Sequence, residues 1–406
     1  MSYSETITSV RALLKYIEKH NTEHLRNAPS IDAPSKWDAS YLFKCRVVCP
    51  KPDGKRFLGI AKVEDENNPE WEEVIKPFPK RLNRRPYPHY HQHFRTGTAA
   101  NYWEALQTLN MAIRSDFAPP STKRSRSRER GLRPAQETTP EYKSTMKITS
   151  NSPEEGSSDS SDGRDDPSFA PAAGHDMTAL PEDATVNAIM ACIKHSLTWY
   201  GPQKGEVLGD EDSVEDDDGD DNEDSDDDDD DSQQPVLSAS PIRYAINGKI
   251  PSFRAKIQAT SDGEIQANNI IDGEYAISRK EVVAIIEAKR RFTQQHIQDG
   301  KATIPDRVLA QVVGEALALR GTELCRNDTV ITIVAIRNYV CFLSVHIPAT
   351  YYDGTVNDVR DPKMDIITVK PTAWLNQDDS KGRKDILCNV ARIVEWSRLG
   401  KRMKKD

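Results

Sequence analysis

The chain lacks most features of secreted and membrane proteins. It has only six cysteines in 406 residues, and none of them forms a C-x-x-C pair, so neither a zinc ribbon nor a disulfide framework is indicated. No segment approaches the roughly 18 consecutive apolar residues of a membrane span. The first residues contain no apolar signal core. We therefore expect an intracellular protein in a reducing compartment, without a membrane partner.

Two nucleotide-binding motifs are also missing. The sequence contains no G-x-x-x-x-G-K-[ST] loop, and no G-x-G-x-x-G sequence follows a predicted strand. Each of these motifs supplies the backbone N–H groups that hold a nucleotide phosphate. The sequence therefore gives no support for nucleotide-driven motor activity or for dehydrogenase chemistry.

Acidic residues are abundant but unevenly placed. The segment Asp210–Asp231 carries 17 acids and no Lys or Arg, which exceeds the net charge of −9, so the remainder of the chain is mildly basic. A mildly basic protein is compatible with a polyanionic partner. A hydrophobic content of 36% in 406 residues is sufficient for two domains joined by linkers.

Changes in composition along the chain predict six segments. Segments poor in apolar residues are expected to be disordered, because burial cannot offset their ordering entropy. The six are an N-terminal α+β unit of unknown role (1–118), a disordered basic and Ser-rich linker (119–181), a helix packing on the C-terminal domain (182–204), an acidic disordered insertion (205–240), a C-terminal α/β domain (241–400) and a basic tail (401–406).

The polar segments suggest where the protein acts. Lys123–Arg133, with the sequence KRSRSRERGLR, is typical of nuclear localisation or of nucleic-acid contact. The acidic tract Asp210–Asp231 is open to three interpretations: a binding site for histones or other basic proteins, a decoy that competes with nucleic acid, or a flexible solvated loop. We expect the nucleus, with the cytoplasm as the alternative.

Alternating histidines in the N-terminal segment raise the question of a metal site. His89, His91 and His93 could line one face of an extended stretch as zinc ligands. No acid or cysteine lies nearby in sequence, and the basic run 80–85 just before them would repel a cation. We favour a polar loop for this stretch.

The most informative stretch runs from Asp272 to Lys289. Four β-branched residues in Val282–Ile286 favour a strand. In a strand, Glu287 and Lys289 project from the same face. The alternative is an amphipathic helix that begins at a capping box formed by Ser278 and Glu281, in which both charged side chains would be solvated.

If the segment is a strand, it predicts chemistry. Asp272 and Glu287 would bind Mg²⁺ (or Mn²⁺) through carboxylate oxygens, and the metal would stabilise charge on a scissile phosphate and acidify a water. Lys289 would position that water or the phosphate. Two neighbouring carboxylates repel each other until a cation binds, which supports a metal site.

This order of residues resembles the PD-(D/E)XK nuclease superfamily, in particular the nuclease-like domains of fungal proteins. Ile271-Asp272-Gly273 stands in the place of Pro-Asp-Gly, Glu287-Ala288-Lys289 is the E-x-K element, and Gln311 is the polar residue of the following helix. The resemblance covers about residues 241–350. Ile271 departs from the proline of the motif, and the family's extra acid on an early helix has no clear counterpart.

The resemblance implies a fold and a set of roles. The fold would be a restriction-endonuclease-like mixed sheet flanked by helices, within an α/β (α+β) protein. The roles it implies are metal ligation by Asp272, Glu287 and the backbone carbonyl of Ala288, catalysis by Lys289, orientation by Gln311, and phosphate contact by Arg290 and Arg291.

Periodicity predicts the surrounding elements. Apolar residues repeat with helical or strand spacing on both sides of the candidate site. The predicted helices are Thr6–Leu25, Tyr102–Ile113, Asp183–Tyr200, Asp306–Leu319 and Asp385–Leu399. The predicted strands are Arg254–Ala259, Gln266–Ile277, Val330–Ile336 and Val340–Ile347, with an N-terminal hairpin formed by YLFKCRVVC and RFLGIAKV.

Two functions remain open from the sequence. The first is a metal-dependent nuclease, or a nuclease-derived domain, that hydrolyses phosphodiester bonds of DNA or RNA. The second is a non-enzymatic nuclear protein that binds chromatin or histones through the acidic tract and keeps an inactive nuclease-like scaffold. A shared fold would not decide between them, because folds do not carry activity by themselves.

Overall fold

The computed structural model describes residues 2–52, 57, 71–76, 97–117, 182–200, 236–271, 274–290, 297–298, 301–325, 327–353 and 365–402. Met1–Phe117 and Leu180–Asp406 belong to one compact unit. The predicted N-terminal unit and the predicted C-terminal domain therefore contribute to the same fold. The histidine run, the basic linker and the acidic tract lie outside the described residues.

The described strands form one large sheet and two small hairpins. They are β1 (Val47–Val48), β2 (Val236–Ser240), β3 (Tyr244–Gly248), β4 (Ile257–Ser261), β5 (Gly263–Ile271), β6 (Glu274–Lys289), β7 (Ile297–Gln298), β8 (Lys301–Ala302), β9 (Thr329–Ile336), β10 (Tyr339–His346), β11 (Ile367–Pro371) and β12 (Leu375–Asn376).

The large sheet is mixed and has eight strands. Its order is β1-β11-β10-β9-β6-β5-β2, and β12 pairs with β10 outside this path. Two neighbouring pairs, β1 with β11 and β6 with β9, are parallel, and the others are antiparallel. The sheet and its helices confirm a mixed α/β architecture.

Strand β6 is the longest strand and lies inside the sheet. Val282, Val283, Ile285 and Ile286 are buried, as expected for β-branched residues in a pleated surface packed on both sides. The strand prediction for this stretch is confirmed, and the helix alternative is wrong. The predicted single strand Gln266–Ile277 is wrong, because β5 ends at Ile271 and β6 begins at Glu274.

Helices cover both faces of the sheet. They are α1 (Tyr3–Thr6), α2 (Val10–His20), α3 (Ala39–Lys44), α4 (Glu72–Ile75), α5 (Gly97–Phe117), α6 (Glu182–Tyr200), α7 (Asp306–Arg320), α8 (Ala349–Asp353) and α9 (Ser380–Arg402). The core on one face joins α4, α5, α6 and α9 to the sheet, and the core on the other joins α7, the β3–β4 hairpin and the first three helices.

The N-terminal elements differ from their prediction. Helix α2 begins at Val10, because the Ser9 hydroxyl accepts a hydrogen bond from the backbone N–H of Ala12. The segment YLFKCRVVC, predicted as a strand, includes the last four residues of helix α3 and only the short strand β1. Asp38 caps α3 by accepting from the N–H of Ser40, which favours a helix despite the aromatic residues that follow.

Later elements agree better with prediction. Helices α6 and α7 begin and end within a residue of their predicted limits, and β9 and β10 match the two apolar strands. Helix α9 begins earlier than predicted, at Ser380, and β4 begins later than predicted, at Ile257. Within the part of the chain that the structure describes, no helix combines the length and hydropathy that a membrane span requires.

Candidate active site

The candidate site forms where β6 extends past the first residue of β5. Gly263, the first residue of β5, pairs with Ile286. The last three residues of β6, which follow Ile286, therefore pair with β9 on one side and have no β5 residue opposite them on the other. Glu287 and Lys289 project from the same face of β6, as the sequence predicts for a strand. Their face is the one covered by α7, whose Gln311 reaches Glu287.

Glu287 is a buried carboxylate with two donors. Its side chain is 1% exposed, and its Oε1 atom accepts a hydrogen bond of 2.7 Å from Nε2 of Gln311 and forms an ion pair with Lys289. Burial raises the pKa of Glu287 to about 7; Lys289 opposes this effect, and nearby Asp262 adds to it. Even beside Lys289, this carboxyl therefore binds a proton readily at neutral pH, and a second cation would favour its charged form.

Helix α7 places a second acid behind the first. Gln311 and Glu315 lie one turn apart on the same helix face, and Nε2 of Gln311 also donates to Oε1 of Glu315 at 2.8 Å. Burial and the neighbouring Glu287 raise the pKa of Glu315 well above its usual value. Among the described residues, no donor reaches Oε2 of Glu315.

Lys289 is the cation of this cluster and is partly open to solvent. Burial tends to lower the pKa of Lys289, but the attraction of Glu287, with smaller contributions from Glu182 and Asp262, gives a net rise. The ammonium is therefore charged at neutral pH. With 28% of its side chain exposed, it can contact a ligand that approaches from solvent.

Asp262 is the acid that the structure brings beside Glu287, and the sequence interpretation missed it. Its backbone N–H donates to the carbonyl of Ile286, and its Oδ2 atom accepts from the N–H of Ala288, both at 2.9 Å. Its Oδ1 atom lies 3.3 Å from Nε of Arg243. Two successive contacts with β6 thus fix this carboxylate, which is 8% exposed.

The residue after Asp262 lies close to the neighbouring strand β2. A Cβ atom built on Gly263 would lie 3.0 Å from the carbonyl oxygen of Ser240 on β2. The Asp-Gly step therefore allows β2 to approach β5 closely while the aspartate stays on the edge of β6. The sequence has the same Asp-Gly step at 272–273, where a metal ligand was predicted, whereas Asp262-Gly263 was interpreted as a connection between two strands.

The backbone of Ala288 faces Asp262. The N–H of Arg337 on the β9 side donates to the carbonyl of Lys289, which shows that Lys289 points its backbone groups toward β9. Backbone groups of successive strand residues point to opposite sides, so those of Ala288 point away from β9. Its N–H meets Asp262, and its carbonyl points to the same side. This is the carbonyl expected to bind metal.

The predicted acid Asp272 lies outside the described residues, but its neighbours are far from this site. Ile271 and Glu274 pair with each other at the opposite end of the β5–β6 hairpin. At about 3.3 Å per strand residue, Glu274 and Glu287 are separated by on the order of 40 Å. Among the described residues, the structure therefore brings together Glu287, Ala288, Lys289 and Gln311, and it adds Asp262, which was not predicted.

The remaining predicted residues are only partly described. Arg290 is exposed at the end of β6, and its carbonyl accepts a hydrogen bond of 3.2 Å from Nε of Arg337. Arg291 lies outside the described residues. An acid that was not predicted, Glu182, begins α6 and is close enough to contribute to the charge balance of Lys289.

The oxygen atoms of the site suit a hard divalent cation. Mg²⁺ keeps several waters and is commonly held by one or two carboxylates. Asp262 and Glu287 supply two, and the Ala288 carbonyl can supply a third protein oxygen. Within the described ranges, no group of three or more His, Cys, Asp or Glu side chains is arranged to hold a metal ion. The donor set fits Mg²⁺ or Mn²⁺ only with water or substrate completing the coordination.

Comparisons with known proteins do not identify the chain. No model of a protein family matches its sequence, and no curated protein matches it either. The geometry of Asp262, Glu287, Lys289 and Gln311 is therefore the basis on which a function can be argued.

Proposed function

We propose that the chain is a metal-dependent nuclease, or a domain derived from one, with a PD-(D/E)XK-type site on a restriction-endonuclease-like sheet. The observation that supports this most is the meeting of Asp262, Glu287 and Lys289 at one sheet edge, with Gln311 of α7 above it. In this proposal the E-x-K element and the glutamine keep the roles that the resemblance implies. Asp262 takes the role expected of Asp272.

Each residue has a distinct task in this proposal. Asp262 and Glu287 bind Mg²⁺ or Mn²⁺ together with the Ala288 carbonyl, and Gln311 holds the Glu287 carboxylate in place through its 2.7 Å hydrogen bond. The bound metal would stabilise the charge of the scissile phosphate and acidify a water. Lys289 orients that water or a phosphate oxygen, because its ammonium is charged and partly exposed.

A metal would also resolve the electrostatic conflict in the site. Without a divalent cation, the buried carboxyl of Glu287 has a pKa raised to about 7. The carboxylates of Asp262 and Glu287 repel each other, and Lys289 and the exposed Arg243 compensate only part of the acidic charge around the site. Glu182 at the start of α6 is our candidate for the extra acid on an early helix, since it is close to Lys289.

The experiment is a cleavage assay with the full chain, Mg²⁺ and labelled DNA and RNA. Removing a comparable electrostatic group typically costs about 10²–10³ in rate, so we expect a loss of that size for Lys289→Ala. The matched control is Lys256→Ala, which changes an exposed lysine just before β4. Equal cleavage by the wild type and Lys289→Ala would contradict the proposal.

The non-enzymatic alternative stays a prediction. It depends on the acidic tract Asp210–Asp231, which lies outside the described residues. Tight histone binding by a chain that neither binds Mg²⁺ nor cleaves nucleic acid would favour that alternative. The basic run Lys123–Arg133 is compatible with a nuclear location for either function.

A further inference from the structure

Arg243 lies at the mouth of the candidate site and faces three carboxylates. Its Nε atom is 3.3 Å from Oδ1 of Asp262, and its Nη2 atom is 3.8 Å from Oε1 of Glu182 and 3.8 Å from Oδ1 of Asp183. The guanidinium therefore lies between the first residues of α6 and the acid that precedes β5. It contacts a proposed metal ligand directly.

These contacts do not fix Arg243 in place. Its side chain is 60% exposed, and the ion pairs are long. Exposed pairs of this kind change an equilibrium constant by only about 1.4- to 5-fold. The preceding residue, Ile242, is 66% exposed, so the turn between β2 and β3 carries its side chains in solvent beside the site. The guanidinium can therefore exchange one partner for another at little cost.

A metal on Asp262 would change the balance around Arg243. The divalent cation and the guanidinium would repel each other, and the weak ion pair to Asp262 can be given up at little cost. A guanidinium released in this way has a planar fork of donors that matches two oxygens of a phosphate. The nearest phosphate would be that of the substrate bound to the metal.

We propose that Arg243 binds a backbone phosphate of a nucleic-acid substrate beside the metal, and that it leaves Asp262 when the metal binds. This inference rests on the proposed function, because it requires a metal on Asp262. Arg243 thus pairs with Asp262 in the metal-free protein and contacts the substrate when the metal is bound. From the sequence, phosphate contact was expected of Arg290 and Arg291 rather than of Arg243.

The test measures two affinities for the same variant. Mg²⁺ binding is measured by calorimetry on the full chain, and binding of fluorescein-labelled DNA and RNA duplexes is measured with Mg²⁺ over a salt series in a Lys289→Ala background. The variant is Arg243→Ala. The matched control is Arg254→Ala, an exposed arginine at the opposite end of the β3–β4 hairpin, where Gly248 pairs with Ile257.

We expect Arg243→Ala to weaken duplex binding without weakening Mg²⁺ binding. Arg243→Ala should bind Mg²⁺ as tightly as the wild type or up to about fivefold more tightly, because a competing cation is gone. It should bind the duplex about fivefold more weakly at 0.15 M salt, with a slope of log affinity against log salt that is shallower by about one. Arg254→Ala should change neither quantity.

Two results would overturn the inference. If Arg243→Ala leaves the duplex affinity and salt slope of the Lys289→Ala parent protein unchanged, the phosphate contact is refuted, and a parallel loss of Mg²⁺ affinity would indicate a structural role. The proposed function fails by a different measurement, namely unchanged Mg²⁺ affinity in Asp262→Asn. If no duplex binds to the Lys289→Ala parent protein with Mg²⁺, both proposals are contradicted.

Discussion

Two buried charged side chains, Arg383 and Glu287, differ in how well their partners compensate their charge. Arg383 of α9 is 2% exposed and donates to backbone carbonyls of Val74 (2.6 Å), Gln377 (2.7 Å) and Ile75 (2.8 Å). Glu287 of β6 is 1% exposed, shares its one glutamine donor with a second buried acid, and has a pKa raised to about 7 by burial. The charge of Arg383 is fully matched by its surroundings, whereas that of Glu287 is matched only in part, by Lys289 and Gln311.

The difference indicates which charge is structural. Arg383 satisfies the carbonyls that the short helix α4 leaves free at its C-terminus, and its guanidinium lies 4.9 Å from the ring centre of Trp103 on α5. It therefore joins α4 and α5 to α9. Around Glu287 the acids outnumber the cations, which a folded protein tolerates when a ligand supplies the missing charge.

The largest effect should come from breaking the matched charge. Arg383→Met leaves several buried carbonyls without donors, and we expect a loss of about 3–5 kcal/mol in the free energy of unfolding. Chemical denaturation of the full chain measures it. Arg383→Lys is the control, because it keeps the charge but loses the planar fork of donors. Its free energy of unfolding should lie between those of the wild type and Arg383→Met. A loss below about 1 kcal/mol in Arg383→Met would contradict a structural role.

A smaller effect on function is expected from the residue that holds Glu287. Gln311→Ala removes the donor to both Glu287 and Glu315, and loss of a supporting partner typically weakens metal affinity about 10- to 100-fold. Calorimetric titration with Mn²⁺ measures this change. Gln311→Glu, which adds a further acid in place of the donor, should weaken binding or leave the site protonated. Wild-type affinity in Gln311→Ala would show that the carboxylate needs no support.

The smallest expected effect is a pH-dependent change in stability caused by Glu315, the acid behind the site. The pKa of Glu315 is raised, mainly by burial, so the folded protein holds a proton that the unfolded chain releases above about pH 4.5. Stability should therefore fall as pH rises from that value through the folded pKa. Glu315→Gln removes this loss, and in metal-free buffer we expect it to gain on the order of 1 kcal/mol over wild type between about pH 5 and pH 8.

Unfolding curves at the two pH values measure that difference. Asp385→Asn is a comparison variant, because burial raises the pKa of this half-buried acid as well, but it is away from Glu287. A Glu315→Gln variant whose stability changes with pH as the wild type's does would mean that Glu315 is charged in the folded protein.

The sequence predicted local features of the site better than its long-range partners. β6 and α7 follow from dense β-branched residues and from a helical apolar repeat, so Glu287, Lys289 and Gln311 were placed correctly on their elements. Asp262 was missed because an Asp-Gly step is typical of a turn. Only the pairing of Gly263 with Ile286 shows that this step lies beside Glu287.

The limits of the fold were missed for the same reason. The sequence divides at residue 118 by composition, yet Val47 pairs with Ile367 in the same sheet. Helix α5 packs on α6 across the intervening linker, and both belong to one core with α9. Pairing between segments so far apart leaves no local sequence pattern in either segment. The apolar content of each segment is also what a separate small domain would need, so it does not reveal the shared core.

The central claim is that Asp262 and Glu287 bind one divalent cation, and a Mn²⁺ titration of three full-length proteins tests it most directly. We predict that the wild type and Asp272→Asn bind with similar affinity, and that Asp262→Asn binds at least about 10- to 100-fold more weakly, since a ligand should matter no less than its support. Equal binding by the wild type and Asp262→Asn, or loss of binding in Asp272→Asn alone, would contradict the assignment.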